Sequence, residues 1–150
     1  MYTGHCYGCG LDDKQLRMIP KENLVAFLLK NFDELKERME CDLRDCHFDK
    51  LTSDEILKRF SSYYSNYNYS GGIIGAIRDI MQAKMKITLH YADCEDGQAI
   101  YMPQMMPWDM NENDLKIRSA EDLQTLFQPF LDELGISDET VGDIDIEWWG

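Results

Sequence analysis

Lys86-Ile87-Thr88-Leu89-His90-Tyr91-Ala92-Asp93-Cys94-Glu95-Asp96-Gly97-Gln98-Ala99-Ile100-Tyr101-Met102 is the stretch whose reading decides the fold. Ile87, Leu89 and Tyr91 alternate with Thr88 and His90, the two-residue period of a half-buried strand. Asp93 to Gly97 breaks the alternation, and Asp-Gly is a turn dipeptide because Gly adopts positive φ without steric cost. Ala99 to Met102 resume an extended run. The stretch predicts a β-hairpin. Two strands alone are marginal in water, so the hairpin needs a third strand or a helix on its apolar face.

The rest of the chain reads as that cover. Upstream, Gly71 and Gly72 lead into a helix with Ile73, Ile74, Ile77, Ile80 and Met81 inward. Before it, Thr52 or Ser53 can cap a helix carrying Ile56, Leu57 and Phe60. Leu24, Phe27, Leu28, Phe32, Leu35 and Met39 recur every three or four residues and predict a helix from Lys21 to Glu40, entered through Pro20. A polar interruption, Cys41 to Lys50, follows it. Tyr7 to Leu11 reads as a short strand or a tight loop.

Downstream, Pro103 and Pro107 bracket an irregular segment ending at Trp108, because proline cannot donate to a central ladder. Ser119, with Asp122 three residues on, opens a helix carrying Leu123, Leu126, Phe127, Phe130, Leu131 and Leu134. Pro129 should kink or shorten it, and Gly135 should stop it. Ile144, Ile146 and Trp148 alternate with Asp143, Asp145 and Glu147, predicting a half-buried strand with an acidic outer face that pairs with the hairpin. The expected fold class is α+β. About four helices pack on a small antiparallel sheet built from the central hairpin and a C-terminal strand, in a single compact domain spanning residues 1–150.

Hydrophobic residues make up 44% of the chain, too many for a disordered polymer. No apolar run approaches the roughly 20 residues of a membrane span. The first residues show no basic region followed by an apolar core, so a cytoplasmic location is expected. In that compartment the five cysteines are expected to be free or metal-bound. The formal charge is −13, unevenly spread: residues 1–108 carry 13 basic and 16 acidic side chains, residues 109–150 carry 2 and 12. Such a segment repels nucleic acid and membrane surfaces and attracts basic partners.

Cys6 and Cys9 have C-x2-C spacing, and Cys41 and Cys46 have C-x4-C spacing, with His5 and His47 adjacent. Two short-spaced pairs suit tetrahedral structural zinc. The competing reading is scattered thiols. A cysteine nucleophile needs a base, and His5, His47 and His90 form no recognisable motif with Cys and Asp. Ser70-Gly71-Gly72 lacks the lysine of a phosphate loop, so it reads as a hinge. The carboxylates of Asp143, Asp145 and Glu147, and of Asp109, Glu112 and Asp114, have no calcium-loop spacing and read first as solvated charge. Tyr63, Tyr64, Tyr67 and Tyr69, interspersed with Ser and Asn, have the composition of adaptable protein-binding loops. Basic stripes with aromatics are absent, which argues against direct nucleic-acid binding.

Taken in order, Tyr7-Gly8-Cys9-Gly10, Gly72-Ile73-Ile74, Asp96-Gly97, Tyr101-Met102-Pro103, Pro107-Trp108 and Ile144-Asp145-Ile146-Glu147 before Gly150 resemble small acidic proteins carried by phages and mobile elements of Gram-positive bacteria. Some proteins from such settings are anti-CRISPR inhibitors of Cas9-type nucleases. The resemblance implies a non-enzymatic inhibitor that binds such a nuclease, which holds nucleic acid in basic channels, and hinders DNA loading in the host cytoplasm. Asp109, Glu112, Asp114, Asp138, Glu139, Asp143, Asp145 and Glu147 would steer the encounter, and Tyr63, Tyr64, Tyr67 and Tyr69 would anchor it. The cysteine pairs depart from the pattern, so the resemblance implies nothing about zinc. A zinc-stabilised interaction module for another protein, and a metal-dependent or cysteine enzyme, are the alternatives.

Overall fold

The computed structural model describes residues 3–33, 47–66, 73–94, 97–103, 105–137 and 141–149. Strand β1 (Thr3–Leu11) opens the chain, followed by a short helix α1 (Asp13–Arg17) and α2 (Lys21–Lys30). Helices α3 (Ser53–Asn66) and α4 (Ile73–Met85) precede the hairpin of β2 (His90–Cys94) and β3 (Gly97–Pro103). Helix α5 (Ala120–Leu134) and strand β4 (Gly142–Trp149) complete it. The fold is α+β, with helices packed on a small antiparallel sheet.

Local chemistry accounts for the helix ends. Asp12 and Gln15 form a reciprocal capping box at α1. Thr52, rather than Ser53, caps α3: its Oγ1 accepts from the Glu55 N–H at 3.3 Å, and Glu55 Oε1 accepts the Thr52 N–H at 3.4 Å. Helix α2 breaks at Asn31, within the span its periodicity suggested, and helical backbone resumes at Phe32 and Asp33. Asn31, buried, donates from Nδ2 to the Phe27 carbonyl at 2.9 Å and closes the helix at Lys30. The remainder of the expected helix, from residue 34 to 40, lies outside the described residues. Ser119 caps α5, which runs through Pro129 to Leu134 and ends at Gly135 with φ +82°. Pro129 is exposed, so water can serve the carbonyl that its missing N–H leaves unbonded.

The strand order is β2-β3-β1-β4, every neighbouring pair antiparallel. The C-terminal strand therefore pairs with the N-terminal strand and not with the hairpin as expected. The Tyr7-to-Leu11 segment is the C-terminal half of that strand. Pairing of β1 with β4 runs from Thr3↔Trp149 to Gly10↔Gly142. Pairing of β1 with β3 covers only Gly8↔Pro103 to Leu11↔Ile100, because Pro103 has no N–H with which to extend the ladder. Gly10 is required where β1 crosses β3: a Cβ there would lie 1.9 Å from the Ile100 carbonyl oxygen. The edge strands β2 and β4 also approach one another, so the sheet is curled.

One hydrophobic cluster joins the layers. Phe27, Phe60 and Phe127 are its largest fully buried side chains, with Ile77, Ile80 and Met81 of α4 and Leu11 and Ile100 of the sheet. Each such aromatic contributes on the order of 2 kcal/mol by leaving water. Phe48, in a 3-10 turn at Phe48–Lys50, stacks on Phe60 with ring centres 5.7 Å apart. Phe32 meets both rings edge-on, at 5.1 and 6.1 Å. This clasp pins the Phe48 turn to the core.

Candidate partner-binding site

The hairpin's first strand starts later than the Ile87-Leu89-Tyr91 alternation predicts, and the cause builds the site. After α4, Lys86 turns the backbone through a left-handed conformation, φ 57°. The next donors are then taken by side chains instead of a neighbouring strand. Leu89 N–H donates to Gln82 Oε1 at 3.0 Å, and Thr88 N–H donates to Asp114 Oδ1 at 2.6 Å. Thr88 Oγ1 donates to Asp114 Oδ2 at 2.7 Å. Strand β2 begins only at His90.

Asp114 was expected on an acidic contact surface and is instead buried, with no accessible surface. Its carboxylate accepts a third hydrogen bond from the Asn111 N–H at 3.0 Å. Its own N–H donates to Asn111 Oδ1 at 2.7 Å, while Asn111 Nδ2 donates to the Lys86 carbonyl at 3.3 Å. A buried carboxylate is tolerated only with such pairing, and bonds to a charged acceptor are each worth about 1.5–3 kcal/mol. Asp114 thus staples the loop after β3 onto the α4–β2 junction.

The stapled loop contains two 3-10 turns, Pro107–Asp109 and Asp114–Lys116. In the first, Asp109 N–H bonds to the Met106 carbonyl at 2.9 Å. The loop exposes large apolar side chains: Trp108 is 78% exposed, with Met106 and Leu115 more than half as open as free side chains or equal to half. Asp109 and Glu112 are exposed in the same loop, and neither carboxylate pairs with a described residue. Trp108 was legible in the sequence only as the end of an irregular segment. The signal that marks it is an aromatic between a turn proline and an aspartate, with no periodic apolar partners to bury it.

Other expected site residues are distributed elsewhere. Tyr63 and Tyr64 lie within helix α3 rather than a loop. Tyr67, Tyr69, Asp138, Glu139, Cys41 and Cys46 lie outside the described residues. Cys6 and Cys9 lie within β1, opposite Ile146 and Asp143 of β4, so the C-x2-C spacing falls on a strand and not on a turn. His5 lies on the same strand and His47 is exposed before the Phe48 turn. Among the described residues no three His, Cys, Asp or Glu side chains group as a metal site.

Asp143, Asp145 and Glu147 stand opposite Cys9, Tyr7 and His5, and Ile144, Ile146 and Trp148 stand opposite Gly8, Cys6 and Gly4.

His90 packs edge-on against Tyr101, ring centres 5.9 Å apart. Burial, and secondarily the Arg78 cation, hold its pKa below the usual 6.5. Arg78 itself pairs with Asp79 at 3.0 Å. Among the described residues no helix is long and apolar enough to cross a membrane. The chain matches no family model, no curated protein and no solved structure.

Proposed function

We propose that this chain is a small protein-binding inhibitor of the anti-CRISPR kind, which occupies a basic, nucleic-acid-holding surface of a Cas9-type nuclease and hinders DNA loading. The observation that supports this reading is the concentration of charge: 12 acidic against 2 basic side chains in residues 109–150. Opposite potentials accelerate encounter and disfavour wrong partners, while a few aromatic anchors set residence time. The stapled loop adds exposed carboxylates at Asp109 and Glu112 and an exposed Trp108 to that segment. Asp114 is left out of the contact set because its charge is internal.

The test is retention of a guide-loaded Cas9-type nuclease on immobilised protein, followed by a DNA-loading assay. Retention with loss of DNA loading is expected. Charge reversal at Asp109, Glu112, Asp143, Asp145 and Glu147 together should then abolish both. Failure to retain any of several nuclease types, or unchanged inhibition after the reversal, would sink the reading. Metal analysis of the same preparation tests structural zinc at Cys6, Cys9, Cys41 and Cys46. One equivalent lost on replacing Cys41 would support that site, and a metal-free preparation would leave the cysteines as thiols.

A further inference from the structure

We infer that the Pro107–Asp109 turn is a receptor for an arginine side chain of a basic partner segment, with the Trp108 indole as platform and Asp109 and Glu112 as counter-charges. The inference rests on the proposed function only in taking the partner to be basic, and it names the chemistry of the contact.

Four observations carry it. Among the described residues Trp108 is the most exposed of the large hydrophobic side chains, in a protein that buries Phe27, Phe60 and Phe127 completely. The exposure is not the accident of a loose loop. The turn closes through the Asp109-to-Met106 hydrogen bond, and the following turn is fastened to the core by Asp114 through bonds of 2.6 to 3.0 Å. The two carboxylates nearest in sequence, Asp109 and Glu112, are exposed and pair with no described residue. Lys116, the lysine that follows them in sequence, donates to Asn113 Oδ1 at 3.5 Å. An indole face attracts a cation, most strongly where unpaired carboxylates add to its quadrupole. Arginine fits better than lysine, because its planar guanidinium stacks on the ring while its N–H groups reach a carboxylate. Preorganisation keeps the ordering cost of binding low.

The experiment titrates 15N-labelled protein with the capped peptide Gly-Arg-Gly-Arg-Gly-Arg and follows the three indole N–H signals. Trp108→Phe identifies the one belonging to Trp108. As an exposed residue, Trp108 can be replaced without loss of the fold. The Trp108 signal should shift with the arginine peptide and stay unmoved with its glutamate counterpart. D109N/E112Q should weaken the response at least threefold, as should raising salt from about 50 to 500 mM. An unmoved Trp108 signal, an equal response to the glutamate peptide, or a response unchanged in D109N/E112Q would overturn the inference. So would a concentration-dependent shift of this signal without peptide, which would make a second copy the occupant. A silent Trp108 with a nuclease still retained removes this contact and leaves the proposed function standing. A responsive Trp108 with no nuclease retained does the reverse.

Discussion

Asp109, Glu112 and Asp114 lie within six residues of one another and have opposite fates. Asp114 is fully buried and accepts three hydrogen bonds, two of them from Thr88. Asp109 and Glu112 are exposed and unpaired among the described residues. Formal charge alone does not distinguish them. The difference comes from donors left over elsewhere: the left-handed turn at Lys86 strands the Thr88 N–H between helix and strand, and a carboxylate is what satisfies it. In so acidic a chain, some of the charge is therefore architecture and some is surface.

The sharpest way to break this contrast is Asp114→Ala. It leaves the Thr88 N–H, the Thr88 hydroxyl and the Asn111 N–H without their acceptor, and should cost about 3 kcal/mol in urea unfolding. A loss under about 1 kcal/mol would place Asp114 with the surface carboxylates. Thr88→Val removes one of the three donors and should cost about 1.5 kcal/mol by the same measurement. His90, two residues beyond the staple, offers a pH probe. Its folded-state pKa is depressed below 6.5, so the unfolded chain takes up the proton first. Stability should be level above pH 6.5 as far as His90 is concerned and should fall as pH drops below it. His90→Gln should make that fall shallower, and an identical profile in wild type and variant would contradict it. The smallest effect belongs to D109N/E112Q, which should move the unfolding midpoint by less than the equivalent of about 0.5 kcal/mol while weakening partner binding.

The hairpin, the capped helices and most of the core were legible because period and capping chemistry are local. Ile77, Ile80, Met81, Leu123, Phe127 and Leu131 are buried where their spacing placed them. Sheet order was not legible. Nothing local says that β1 lies between β3 and β4, and Gly4, Gly8 and Gly10 disguise a strand as a loop. The pairing partner of β4 was missed for the same reason, since alternation assigns two faces without naming the neighbouring strand. The break in helix at Asn31 was hidden inside an unbroken apolar period, and it coincides with a side-chain bond from Asn31 to the Phe27 carbonyl. At the candidate site the acidic residues were visible, but their sorting was not. It depends on Thr88, 26 residues away from Asp114.

The β1–β4 ladder joins Thr3 to Trp149. Nearly the whole chain is a loop that must close before that pairing forms. Helices α3 and α4 and the adjacent hairpin need only neighbours, so they are expected to assemble early, and the central strand of the sheet must wait for the last one. Until then β1 presents an unpaired edge, the state in which a strand is most prone to find a partner on another molecule. The chain's hazard is thus one of timing: its middle is ready before its ends have met.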